Sequence, residues 1–178
     1  MAAHPPGSAF EEGGFNLVLS KLSAAAMDEK LLTLATEFRE AIVRSKRGFP
    51  DLLKNKFSSF PKQTCEYTSN LLGRFLAENG FADVQYVWGV RWPDAWPKDE
   101  SHAWLEICDV IVDITADQFP DGPAPVIVTR SHLWHSQFSS PQRPPERRPV
   151  TNLQTYSRRS EEDYDLLYDR IVKCVVGC

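Results

Sequence analysis

The stretch SHAWLEICDVIVDIT, residues 101–115, constrains the fold more than any other part of the chain. Apolar residues alternate along 103, 105 and 107 and again along 110, 112 and 114, with Cys108 and Asp109 between the two runs. Period-two patterning marks strands with one buried face. A two-residue break between such runs makes them a hairpin. Taking 108–109 as the turn sets Ile107 opposite Val110, Leu105 opposite Val112 and Trp104 opposite Asp113. One face then carries Ala103, Leu105, Ile107, Val110, Val112 and Ile114, wholly apolar and turned to the core. The other carries His102, Trp104 and Glu106 with Ile111, Asp113 and Thr115. Asp113 becomes the diagonal neighbour of His102, about 7 Å away at the backbone, within reach of an imidazole. A carboxylate so placed fixes the histidine tautomer and stabilises the imidazolium. It serves equally as a structural hydrogen-bond partner, and a slip of one residue would separate the two.

Around the hairpin, helical spacing of Leu31, Leu34, Ala35, Phe38, Ala41 and Ile42 predicts a helix over about 27–47, ended by Gly48 and Pro50. Residues 49–61 read as a loop with one helical turn, DLLKNKF. A second helix is predicted from about Cys65 to Asn79, with Thr64 as N-cap and Gly80 as C-cap. Residues 82–90 and 124–130 have strand character, 91–100 is a proline-containing loop, and 139–150 a Pro- and Arg-rich surface loop. A terminal amphipathic helix follows Ser160, which with Asp163 resembles a capping box. Residues 1–14 are rich in Pro, Gly and Ala and are expected to be poorly ordered, leaving 15–178 as a single domain. Helices first, then strands in succession, then a helix predict an α+β fold. Its helices should pack on one side of a mainly antiparallel sheet.

The net charge of −4 argues against a nucleic-acid partner, which would require a basic face. No run approaches the roughly 20 apolar residues that span a bilayer, and the N-terminus lacks a signal-peptide pattern. A membrane partner is therefore not expected. A cytoplasmic or other reducing compartment is, with export by a machine that reads no cleavable signal left open. Cys65, Cys108, Cys174 and Cys178 contain no CxxC pair and are expected to be free thiols.

Cys65 stands at the predicted start of the second helix. Unpaired N–H groups and the positive dipole end there favour an anion, which lowers a thiol's pKa. The same N–H groups suit an oxyanion. The alternative is a small buried hydrophobe. FPKQTCEYTSNLLGRFLAENGF, followed by YVWGV and SHAWLEICDVIVDITADQF, resembles a group of bacterial proteins of the transglutaminase-like, papain-like cysteine superfamily. Their pattern is a cysteine leading a helix, a His-Ala-Trp or His-Val-Trp strand, and an aspartate in a DxT strand. The resemblance covers about residues 60–120 and implies a papain/transglutaminase-like fold. It implies Cys65 as nucleophile, His102 as general base and acid, and Asp113 as the orienting carboxylate. Gln63 stands where the group often has a small residue, and is either an oxyanion donor or a surface side chain. Asp117 and Gln118 line the cleft or cap the strand. Trp104 shields the pair, stacks on substrate or simply packs.

His132 and His135, three apart, lack the further ligands of a metal site and read as solvated or cleft-rim residues. Cys174 and Cys178 likewise lack partners for zinc. The arginines at 143, 147, 148, 158 and 159 read as a solvated stretch or as a dock for an acidic partner. The expected activity is a thiol-dependent hydrolase or acyltransferase acting on an amide: a peptidase, amidase or deamidase, with no cofactor and no metal. The substrate would be a protein, a peptide or a small amide. Two rivals share the fold: a secreted effector or toxin of the same chemistry, and a non-catalytic peptide-binding module using Trp88, Trp92, Trp96 and Trp104.

Overall fold

The computed structural model describes residues 12–91, 99–150 and 158–177. Among these the chain is α+β. Its four helices are α1 (Glu12–Ser45), α2 (Asp51–Phe57), α3 (Cys65–Glu78) and α4 (Arg158–Gly177). Its strands are β1 (Gln85–Arg91), β2 (Glu100–Ile107), β3 (Val110–Asp113), β4 (Ile127–Thr129) and β5 (Glu146–Pro149). They form one antiparallel sheet in the order β4-β3-β2-β1-β5. No described helix is long and apolar enough to cross a membrane.

The hairpin register follows the alternation: Ile107 pairs with Val110 and Leu105 with Val112, and Cys108 takes a left-handed φ of 56° in the turn. Leu105, Ile107, Val110, Val112 and Ile114 join one buried cluster with Leu31, Phe38 and Ile42 of α1, Leu71, Leu72 and Leu76 of α3, and Leu167 and Ile171 of α4. Leu53 and Phe57 of α2 belong to the same cluster, so all four helices lie on that face. The opposite face holds a second, smaller core of Val87, Trp104, Ile111 and Phe138, flanked by Phe119 and Trp134. Loop segments rather than helices cover it.

α3 ends as its sequence indicates. Gly80 has a φ of 92°, its N–H donates to the Ala77 carbonyl, and Phe81 N–H donates to Leu76, a Schellman closure. At the other end Thr64 occupies the N-cap position, but its hydroxyl donates back to the Pro61 carbonyl instead of capping the helix. The first-turn N–H groups are thus left available beside Cys65.

Several expectations need correction. α1 begins at Glu12, so helix replaces the last residues of the stretch expected to be poorly ordered; residues 1–11 lie outside the described ones. Within 139–150, residues Glu146–Pro149 form an edge strand paired with β1. Proline is tolerated at an edge because its missing N–H faces away from the ladder. Cys174 is in a disulfide and is not a free thiol, whereas Cys65 and Cys108 are free. Trp92, Trp96, Cys178 and the side chain of Ser160 lie outside the described residues.

Candidate active site

β2 presents His102 on the smaller-core face, where the ring is fully buried. Its Nε2–H donates to Asp113 Oδ2 at 2.6 Å. The expected diagonal pairing is therefore made. Asp113 Oδ1 accepts the Thr115 backbone N–H at 2.9 Å and the Thr115 hydroxyl at 3.3 Å. This arrangement fixes the tautomer. Neutral His102 carries its proton on Nε2 and leaves Nδ1 as an acceptor.

Nδ1 faces the tip of α3. Ser69, one turn into that helix, donates its hydroxyl to the Ala103 carbonyl at 3.0 Å and ties α3 to β2. The β2–β3 ladder has its last rung at Leu105–Val112, whereas β2 pairs with β1 as far as Glu100. Beyond that rung the β3 side of His102 is open to the helix tip. There the half-buried Cys65 lies close enough to His102, Gln118 and the Ala103 backbone for each to favour its thiolate.

Gln118 enters from a 3-10 turn, Ala116–Gln118, directly after the aspartate strand. Its amide Nε2 lies 3.1 Å from His102 Nδ1, and its Oε1 accepts the Gln63 backbone N–H at 3.3 Å. Gln63 is exposed with a left-handed φ of 59°, and its contact with this group is through the backbone. The turn is held by Arg39 of α1, which donates to both Asp117 oxygens at 3.0 and 2.7 Å and to the Ile114 carbonyl. Neither Arg39 nor its pairing was visible in sequence, because the partners are 78 residues apart.

Burial opposes charge on all three central groups, and pairing overcomes it. Burial raises the Cys65 thiol, but the hydrogen bond and charge of His102, then Gln118 and the Ala103 backbone, bring it below its ordinary value. Burial would lower His102. The charge and hydrogen bond of Asp113, with Cys65, push it instead up to about 9. Asp113, despite complete burial, is held below the usual carboxylate range by His102 and His135. Both shifts run toward a thiolate beside an imidazolium and away from the neutral pair.

The imidazole sits in an aromatic box. Trp104 stacks at 5.9 Å, and Phe119, Trp134 and Phe138 lie at 5.2, 5.6 and 5.2 Å. Trp104 is 2% exposed, so it shields the pair and offers no face to a substrate. Arg91 closes the box from outside. It bonds Glu100, Asp121 and Gln137 and lies over the Phe119 and Phe138 rings.

His132 is exposed as expected, but His135 is not a rim residue. It is 3% exposed, and its Nε2–H donates to Asp113 Oδ2 at 3.0 Å. The sequence offered one signal: Trp134 and Phe138 flank it with the spacing of a buried turn. His102, Asp113 and His135 bring a possible set of metal ligands within 4.8 Å of one another. The 2.6 Å between His102 Nε2 and Asp113 Oδ2 is, however, shorter than the roughly 3.3 Å between two ligands on a tetrahedral zinc with bonds near 2.0 Å. Both imidazoles aim at one oxygen, and hydrogen bonding accounts for that geometry.

Chemically, the group sets a thiol whose ionised form is favoured beside an imidazole of fixed tautomer, with the N–H groups of the helix tip and of Gln118 close by, the components that thiol-based acyl transfer needs. No family model, curated protein or solved structure matches the chain.

Proposed function

We propose that this chain is a thiol-dependent hydrolase or acyltransferase acting on an amide, as a peptidase, amidase or deamidase. The observation that carries the reading is the closeness of Cys65 to His102, whose Nε2 is held by Asp113 and whose Nδ1 lies beside Gln118. In this reading the Cys65 thiolate attacks the acyl carbon, and the helix-tip N–H groups and Gln118 Nε2 receive the oxyanion. The imidazolium then protonates the leaving amine through Nδ1. Water or a second amine, deprotonated by the now neutral His102, then attacks the acyl carbon and expels Cys65 as the thiolate, which restores the thiolate–imidazolium pair. The order of cysteine-led helix, histidine strand and aspartate strand also supports a relationship to the transglutaminase-like, papain-like superfamily.

Iodoacetamide labelling across pH, with each cysteine followed by mass spectrometry, tests the reading. Cys65 is expected to label well below the pH at which Cys108 does, and to lose that advantage in His102→Ala. Equal, slow labelling of Cys65 and Cys108 would overturn the assignment.

A further inference from the structure

Asp113 is served by a second histidine that the chemistry above does not use. We propose that His135 is a fourth member of this site, a positioning residue that fixes the orientation of the Asp113 carboxylate for His102; the inference rests on the thiol reading.

A carboxylate offers about four lone-pair sites. Asp113 uses two on Thr115 and one on His102, and His135 fills the fourth on the same Oδ2 that His102 uses. Without that donor, Oδ2 keeps one partner in a fully buried setting, and the carboxylate is less restrained about its terminal torsion. The surroundings are built to aim this ring. His135 sits on a 3-10 turn, His135–Phe138, with Trp134 edge-on at 4.9 Å and Trp104 at 5.1 Å. The turn lies close over β1 because position 89, paired with His102, is glycine. A Cβ there would come within 2.2 Å of the Phe138 carbonyl oxygen. Four strand and loop segments thus converge to bring one imidazole N–H to one oxygen. The titratable groups facing this junction are Asp113 from β3, His102 from β2 and Cys65 from α3, with Arg91 of β1 outside the aromatic box.

A merely structural histidine would be replaceable by a residue that fills its volume. A positioning histidine requires the donor. The test uses the whole chain and the pH profile of Cys65 alkylation, with Cys108 as internal reference. His135→Phe keeps the ring and removes the donor. His135→Gln places an amide N–H at nearly the reach of Nε2, and His135→Asn falls short of it. The expected result is an upward shift of the Cys65 profile by about one pH unit in His135→Phe and His135→Asn, roughly a tenfold rate loss on its acid side. His135→Gln should restore it. A profile unchanged in His135→Phe, or Gln and Asn variants that behave alike, would overturn the proposal. If His135→Phe does not fold, the Gln–Asn comparison decides. If Cys65 of the wild type titrates with Cys108, the thiol reading itself fails and this inference with it. An activated wild type with insensitive variants removes only His135.

Discussion

Replacing Asp113 by Asn changes little in shape and reverses the logic of the site. The carboxylate accepts four hydrogen bonds and donates none. An amide must turn its NH2 either toward Thr115, whose backbone N–H has no acceptor function, or toward the two histidines. In the second case His102 must move its proton from Nε2 to Nδ1, and Nδ1 is then no longer free to accept from Cys65. His102 stands at about 9 against an ordinary 6.5. At about 1.4 kcal/mol per unit, that gap is on the order of 3 kcal/mol in favour of the imidazolium. Burial opposes the charged form while Asp113, ahead of Cys65, supports it, so removing Asp113 forfeits a large part of this. The consequence for Cys65 has a ceiling, because an ordinary thiol near 8.5 is about 3% thiolate at pH 7. Alkylation of Cys65 at about pH 7 should therefore fall by up to some thirtyfold. Circular dichroism on the same sample would establish that the fold is kept. A folded Asp113→Asn protein whose Cys65 reacts within about threefold of wild type would refute the reasoning.

Four further outcomes follow from the same geometry. Arg39→Met should cost about 2 kcal/mol in urea unfolding, because it strips a part-buried bidentate ion pair and a carbonyl contact, and it should slow Cys65 labelling by loosening Gln118. Glu40→Gln, at an exposed helical pair, should stay within about 0.5 kcal/mol. Gly89→Ala should lower the thermal midpoint by the equivalent of about 1–3 kcal/mol, since its methyl meets the Phe138 backbone; a variant as stable as wild type would mean that the turn does not press on β1. Asp113 has a lowered folded pKa, so its stabilising contribution is full above about pH 4 and is lost as pH falls through the folded value. Urea midpoints should drop on acidification below about pH 4, and Asp113→Asn should show a shallower drop over that window.

The parts of this account legible in sequence share one property: they depend on contacts close along the chain. The hairpin register followed from alternation and a two-residue turn, and with it the His102–Asp113 pair, 11 residues apart. The Cys65 helix and its glycine closure were local signals too. The parts that escaped depend on tertiary company. β5 carries no apolar alternation, because an edge strand exposed along its length needs none. His135 looked like a surface residue beside His132 until the turn carrying it was laid over Gly89, a contact no spacing rule encodes. Arg39, on a helix read only for its apolar stripe, proved to hold the turn that carries Gln118.

The central claim is that Cys65 and His102 exist as a charged pair near neutral pH. A combined titration tests it most directly: ultraviolet absorbance for the thiolate, with Cys65→Ser to assign it, and imidazole nitrogen resonances by NMR for His102. The account predicts a thiolate step below the ordinary thiol range that vanishes in Cys65→Ser, and an imidazolium persisting to about pH 9. A Cys65 that ionises together with Cys108, beside a His102 already neutral at about pH 7, would contradict it.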